Sequence, residues 1–188
     1  MKIAILGGSF DPPHLGHWWV VRQLLELRED IDQLWLVPAF QHQWKPIIAS
    51  AEERMQMLAG FQQDKVVLSD IEMKREGVSY TIDTIKEIKK QTGANLYWVV
   101  GTDILGEFDR WDRTDELIQY ATFLVFPRDP YHLPKTLPKG FEAIREKNLI
   151  TSSLSSTHIR DRRKNGMTIH GFVPESVEKY ITDNKLYI

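Results

Sequence analysis

Ile3-Ala4-Ile5-Leu6-Gly7-Gly8-Ser9-Phe10-Asp11-Pro12-Pro13-His14-Leu15-Gly16-His17 begins as a short apolar strand pattern and crosses a turn rich in glycine and proline. It then enters a helical pattern near Leu15. A helix N-terminus has unpaired N–H groups and a partial positive charge, so a strand-to-helix turn of this kind attracts phosphate. Gly7 and Gly8 let a bulky ligand approach the backbone. His14 and His17 add ring N–H donors on the same side. An isolated His-x-x-His would read as surface polar residues in a glycine turn. The order strand, glycines, prolines, helix is what favours the phosphate reading.

Outward from this stretch, short apolar strands alternate with helical patterns. Lys2–Leu6, Gln33–Val37, Val66–Ser69, Leu96–Val100 and Phe123–Phe126 read as strands. The continuous apolar run of Leu96–Val100 marks a strand buried on both faces. Helices are expected over Leu15–Glu29, from Ser50 to about Phe61, and over Thr81–Gln91, Ile104–Phe108, Thr114–Tyr120, Ser155–Lys164 and Pro174–Asn184. Ser50 with Glu53 three residues later forms a capping box, and Gly93 is a stop signal. Ala39–Ala49 reads as a loop, Pro127–Pro138 as a proline-rich excursion, and Asn148–Ile150 as a last short strand.

This alternation predicts an α/β fold, a doubly wound and mostly parallel sheet of Rossmann-like type. The 188 residues suit one domain over 1–188, with a helical part from about 151 to 188. In such folds ligands bind at the carboxyl ends of the strands, where the strand order reverses. Gly7–His17, Pro38–Pro46 and Gly101–Asp103 all follow strands and should converge there.

Composition narrows the classes. With 42% apolar and 27% charged residues the chain is an ordinary globular protein. A net charge of −2 argues against a general polyanion-binding surface, so no nucleic acid partner is expected and phosphate recognition should be local. No apolar run approaches the roughly 20 residues that span a membrane. The chain enters a strand directly, without a basic stretch and long apolar run, and the expectation is a cytoplasmic protein. The absence of cysteine excludes disulfides, thiolate metal sites and cysteine nucleophiles.

A second anion motif is Ser155-Ser156-Thr157-His158-Ile159-Arg160. Hydroxyl residues at a helix start expose N–H groups, and Arg160 one turn inward offers a forked charge to phosphate oxygens. Alone it would read as a capped helix with a surface arginine.

The two motifs together resemble the nucleotidyltransferases that carry an H-x-G-H signature and a C-terminal S-S-T-x-I-R motif. Within them, the chain is most similar to the bacterial nicotinate-nucleotide adenylyltransferases. Glu53-Arg54-Met55, Ser79-Tyr80-Thr81-Ile82-Asp83-Thr84, Gly101-Thr102-Asp103 with Trp111 downstream, and Pro174-Glu175-Ser176-Val177 extend the resemblance over nearly the whole chain.

The resemblance implies adenylyl transfer from ATP to the 5′-phosphate of a pyridine mononucleotide. His14, His17 and Arg160 would be the catalytic residues. His17 would donate to an α-phosphate oxygen, and Arg160 would hold the β- and γ-phosphates. Gly8, Ser9 and Phe10 would line the nucleotide site through their backbones, with Ser155, Ser156 and Thr157 at the second clamp. Gly101 and Asp103 would meet the adenosine, although Asp103 reads equally well as a helix N-cap. Trp111 would stack on the pyridine ring, or simply pack. Thr81 and Thr84 would sit near the mononucleotide, against readings as a helix cap and a solvated threonine. Lys45 would reach a phosphate or remain solvated.

Mg2+ is the implied cofactor, bound mainly through ATP phosphates and water. A zinc site at His14 and His17 lacks an obvious third ligand.

Two departures from the family pattern bear on acid-versus-amide preference. His42 and Lys45 in Phe40-Gln41-His42-Gln43-Trp44-Lys45-Pro46 do not keep the usual loop spacing, and Asp112 stands at a position that is usually aromatic. The alternative acceptors are nicotinamide mononucleotide and phosphopantetheine. A non-catalytic nucleotide-binding or sensing module is the alternative of another class. A class I aminoacyl-tRNA synthetase core is disfavoured by the lack of a Lys-Met-Ser-Lys-Ser-type loop.

Overall fold

Along the first strand the side chains alternate between two separate apolar layers. Ile3 and Ile5 join one, and Ala4 and Leu6 join the other. That is the period-2 pattern of a strand covered on both faces. The computed structural model describes residues 1–188. Its six strands are β1 (Lys2–Gly8), β2 (Gln33–Pro38), β3 (Val66–Leu68), β4 (Asn95–Gly101), β5 (Ala121–Phe126) and β6 (Phe141–Ala143). All pair in parallel, in the order β3-β2-β1-β4-β5-β6. The sheet is therefore wholly parallel.

Helices cover both faces. Val21 and Leu24 of α1 (Leu15–Leu27), Met57 and Leu58 of α2 (Ala51–Ala59), Ile159 of α6 (Ser156–Lys164), and Val177 and Ile181 of α7 (Glu175–Asp183) pack with Ala4 and Leu6. On the other face Ile82, Ile85 and Ile88 of α4 (Thr81–Thr92) and Leu117 of α5 (Thr114–Tyr120) pack with Ile3, Ile5 and Trp98. A five-residue helix, α3 (Ile71–Arg75), precedes α4. No helix is long and apolar enough to cross a membrane.

Local rules explain the element ends. Ser50 accepts from the Glu53 N–H at 3.1 Å while Glu53 accepts from the Ser50 N–H at 2.6 Å, the expected capping box on α2. Gly93 ends α4 in the left-handed conformation, φ 65°. The chain runs out from β1 toward β2 and β3, then returns to place β4 on the other side of β1. The strand order thus reverses between β1 and β4, the position where open α/β sheets bind ligands.

At this switch point the Trp98 ring of β4 lies over Gly7. A Cβ on Gly7 would lie 2.5 Å from that ring and would force it to move.

Two expectations are corrected. Asn148–Ile150 is not a strand; the sixth strand is Phe141–Ala143. Ile150 donates to and accepts from the side chain of Gln23, at 2.7 and 3.0 Å. Its backbone groups are thereby occupied by an amide of α1 instead of a neighbouring strand. Phe141 enters β6 because its ring packs on Phe108 and Phe123, at 4.8 and 5.0 Å between centroids. The expected helix at Ile104–Phe108 is a pair of 3-10 turns, Thr102–Gly106 and Phe108–Arg110.

Candidate active site

The loops after β1, β2, β4 and β5 line one cavity of about 470 Å³ with the start of α6. His14, His17, Arg160, Gly8, Ser9, Phe10, Gly101, Asp103, Ser155, Ser156, Thr157, Lys45, Thr81, Trp111 and Asp112 all reach its wall. Residues from the two ends of the sequence thus meet as expected.

His14 is the N-cap of α1, in extended conformation. Its backbone N–H donates to Nδ1 of His17 at 3.1 Å. An accepting Nδ1 leaves the proton of a neutral His17 on Nε2, where it can be donated. The two imidazoles stack at 3.7 Å, and the buried Phe10 ring lies 4.8 Å from His17. Burial, and then the positive charge of Arg128, lower the His17 pKa to about 3. Burial lowers His14 well below its ordinary value too, with His17, Arg128 and His158 adding to it. Both rings are therefore neutral hydrogen-bonding groups near neutral pH.

The second motif is bonded to the first. Ser155 caps α6 by accepting from the His158 N–H at 3.3 Å. Ser156 Oγ donates to the Pro12 carbonyl at 2.8 Å. Arg160 donates through Nη1 to the Asp11 carbonyl at 2.7 Å and through Nη2 to Thr157 Oγ1 at 3.2 Å. The first turns of α1 and α6 thereby line one cavity, joined through the Arg160 guanidinium.

Arg128, just beyond β5, was not anticipated. It lines the cavity and donates to Asp103 Oδ2 at 2.8 Å and to the Leu154 carbonyl at 3.3 Å. The strand-end rule that picked out the loops after β1, β2 and β4 applies equally to the loop after β5. Asp103 does not cap a helix: Gly101 holds the N-cap position, without a side-chain bond. Asp103 Oδ1 is buried with no hydrogen-bond partner.

At the other end of the cavity Trp111 packs against Phe108 and Phe123, at 5.7 and 6.2 Å, while still lining the wall. Asp112 Oδ2 accepts from Arg113 Nε at 2.8 Å, and Arg113 also pairs with Asp83 at 2.6 Å. The carboxylate at the departing position thus shares one positive charge with Asp83, and Glu116 lies 4.0 Å from the same guanidinium. Trp44 stands under the Arg110 guanidinium at 5.2 Å. The Trp44 N–H donates to Nδ1 of His42, whose pKa is lowered by burial and by Lys45.

Thr84 is the exception among the expected site residues. It is fully buried and does not reach the cavity. Its hydroxyl donates to Glu72 and accepts from Arg75 Nη2 at 2.8 Å. It shares the buried side of α4 with Ile85 and Ile88, which removes it from both the substrate-binding and the solvated reading. Glu72 reaches the cavity instead. Burial raises its pKa, against the hydrogen bonds of Ser79 and Thr84 and the charges of Arg75 and Arg54.

Arg54 also escaped assignment. It is buried, and its guanidinium donates to the carbonyls of Ser9, Ala39, Phe40 and Ala49. It ties the loops after β1 and β2 together without a carboxylate bonded to it.

Residues 5–162 match the cytidylyltransferase-like family. The chain is 36% identical to a probable nicotinate-nucleotide adenylyltransferase of Oceanobacillus iheyensis, over 99% of this chain and 96% of that one. It is also 36% identical to a probable nicotinate-nucleotide adenylyltransferase of Thermotoga maritima, over 96% and 90%. The chain belongs to the cytidylyltransferase-like family, among the nicotinate-nucleotide adenylyltransferases. Its fold is that of the Plasmodium falciparum nicotinic acid mononucleotide adenylyltransferase complexed with NaAD. The TM-score is 0.82, over 99% of this chain and 97% of that one, at 22% identity.

Proposed function

We propose that the protein transfers the AMP unit of ATP to the 5′-phosphate of nicotinate mononucleotide, forming the deamido dinucleotide and pyrophosphate. The observation that carries this is the joining of α1 and α6 N-termini over one cavity by the Ser156–Pro12 and Arg160–Asp11 bonds. A single anion needs one helix N-terminus. A triphosphate meeting a second phosphate needs two and a cation.

The acceptor phosphate is already an anionic nucleophile, so no side chain must remove a proton. One of its oxygens attacks the α-phosphorus of ATP. The bond from that phosphorus to the bridging oxygen breaks, and pyrophosphate leaves with the electron pair. Rate comes from alignment and from donors placed where charge gathers. His17 supplies Nε2–H to an α-phosphate oxygen, with His14 stacked beside it. Arg160 holds the β- and γ-phosphates, since two of its N–H groups are occupied by Asp11 and Thr157 and the rest are left for ligand. Gly8, Ser9 and Phe10 present backbone to the nucleotide. Ser155, Ser156 and Thr157 present the N-terminus of α6, and Gly101 and Asp103 meet the ribose. Trp111 stacks on the pyridine ring beside Thr81, and Lys45 approaches the acceptor phosphate.

Magnesium suits this site as a passenger on the substrate. No three His, Asp or Glu side chains are grouped to hold an ion, so ATP phosphates and water would be its ligands. It would supply charge neutralisation on the triphosphate.

The nicotinate form is favoured by the likeness to probable nicotinate-nucleotide adenylyltransferases, and Arg113, shared between Asp112 and Asp83, partly offsets the carboxylate next to Trp111. The test is pyrophosphate release with ATP and, in turn, nicotinate mononucleotide, nicotinamide mononucleotide and phosphopantetheine. The first should be used up to about fivefold better than the amide form, the scale of one exposed ion pair. Release with none of the three would leave a binding module as the reading.

A further inference from the structure

Asp11 belongs to the first motif, yet its carboxylate is occupied by protein groups. It is 2% exposed. It accepts from the N–H groups of Ile48 at 2.8 Å and Ala49 at 3.0 Å, in the loop after β2. It also accepts from the phenol of Tyr187 at 2.8 Å, across 176 positions of sequence. Its own carbonyl holds Arg160 Nη1 at 2.7 Å, and the same nitrogen lies 3.9 Å from its carboxylate. One residue therefore joins the loop after β1, the loop after β2, α6 and the segment that follows α7.

Tyr187 is held for this contact. Its φ of 61° lies in the left-handed region, which a bulky residue adopts only where its surroundings compensate. The turn is closed by Leu186 N–H on the Ile181 carbonyl at 3.0 Å, and the ring is 8% exposed within the α6–α7 side of the core. Burial and the Asp11 charge push the phenol pKa well up, so the hydroxyl stays a donor.

We infer that Tyr187 and Asp11 are positioning residues for Arg160, the phenol holding the Asp11 carboxylate away from the guanidinium so that it faces the leaving pyrophosphate. The inference rests on the adenylyl-transfer reading. Oδ2, the oxygen 3.9 Å from Arg160, is held by Ile48 N–H, and Oδ1 by Ala49 N–H and the phenol, so the phenol acts by fixing the rotation of the carboxylate between these donors and the charges of Arg160 and Arg54. Removing the phenol leaves Oδ1 satisfied by Ala49 alone. That loosens the carboxylate toward a direct ion pair with Arg160, which would draw the guanidinium off the phosphates.

The test is Tyr187→Phe, alone and with Arg160→Ala, in steady-state assays of dinucleotide formation. Alone it should lower kcat/KM for ATP about tenfold, the scale of one hydrogen bond to a charged group, and leave KM for nicotinate mononucleotide within about twofold. On the Arg160→Ala background the same change should move kcat/KM for ATP by less than about twofold, because coupled residues are not additive. Equal losses on both backgrounds, equal effects on both substrates, or a variant that melts below the assay temperature would overturn it in favour of plain packing. A parent that forms no dinucleotide would defeat the adenylyl-transfer reading separately. The cycle is then read as affinity for a non-hydrolysable ATP analogue by calorimetry, where a loss confined to the Arg160 background supports the inference and additivity overturns it.

Discussion

The two ends of the cavity are built differently. At the end proposed to hold phosphate His14 and Asp11 are almost wholly buried, and the two motifs are bonded through Ser156–Pro12 and Arg160–Asp11. At the end proposed to hold the pyridine ring Asp112, Arg113 and Asp83 form ion pairs that are about 40% exposed, and Trp44 sits under Arg110 at the surface. The contrast fits what each end would do in the proposed reaction. Donors that stabilise a transition state act through being held before the reaction starts, which burial and hydrogen bonding achieve. Recognition of a ring and its substituent needs only a difference in binding, and exposed pairs supply small differences.

The largest effect that would break this comparison is at His17. His17→Ala should lower turnover by about 10²-fold or more with an unchanged circular dichroism spectrum, since one preorganised donor is worth several kcal/mol. Turnover within threefold of the parent would remove the preorganised phosphate end. Arg160→Lys keeps the charge and loses the fork, so kcat/KM for ATP should fall about tenfold while affinity for the mononucleotide holds. Loss spread equally over both substrates would mean that the two ends are not separable.

Smaller effects belong to the pyridine end. Arg113→Ala uncovers Asp112 and should weaken nicotinate mononucleotide by no more than about fivefold, with little change for the amide, as exposed pairs are worth at most about 1 kcal/mol. Asp112→Asn alone should leave the acid-to-amide ratio of kcat/KM nearly unchanged, because Arg113 already offsets that charge. A tenfold shift would show that the pair is stronger than its exposure allows.

The smallest effect is expected in the pH profile. With the His17 pKa near 3 and His14 also lowered, any limb of kcat/KM for ATP near about pH 6 to 7 should come from the substrate phosphates, whose second ionisation falls at about 6, and should stay in place in His17→Gln. Stability, by contrast, should slope. The unfolded chain binds protons on these histidines below about pH 6.5 while the folded protein does not, so melting temperature should fall as pH drops from there toward 3. His17→Gln should flatten that slope.

The same contrast governs what the sequence made legible. The residues proposed to bind phosphate sit in two contiguous stretches, and that both stretches open helices was legible because a helix N-terminus is a local object. The Ser50–Glu53 box and the Gly93 stop were readable for the same reason. Residues whose role depends on distant partners were not. Thr84 follows Thr81 by one helical turn and looks equivalent, yet Glu72 and Arg75 enclose it. Arg54 gives no local sign that four carbonyls from three stretches will surround it. Ile150 has strand character in isolation, and the Gln23 amide that takes its backbone groups lies 127 positions earlier.

One consequence concerns synthesis. Ser156 and Pro12 are bonded across 144 positions, and Arg160 and Asp11 across 149. During translation β1 and α1 leave the ribosome long before α6 exists. The start of α1 is itself tied to the far end of the chain, Leu15 N–H donating to the Phe172 carbonyl at 3.0 Å, so an unfinished chain lacks that contact as well as the proposed second grip for the triphosphate. Catalytic competence should therefore arrive in one step, late in synthesis. A stalled chain ending before Arg160 would present half of the phosphate site and consume no ATP.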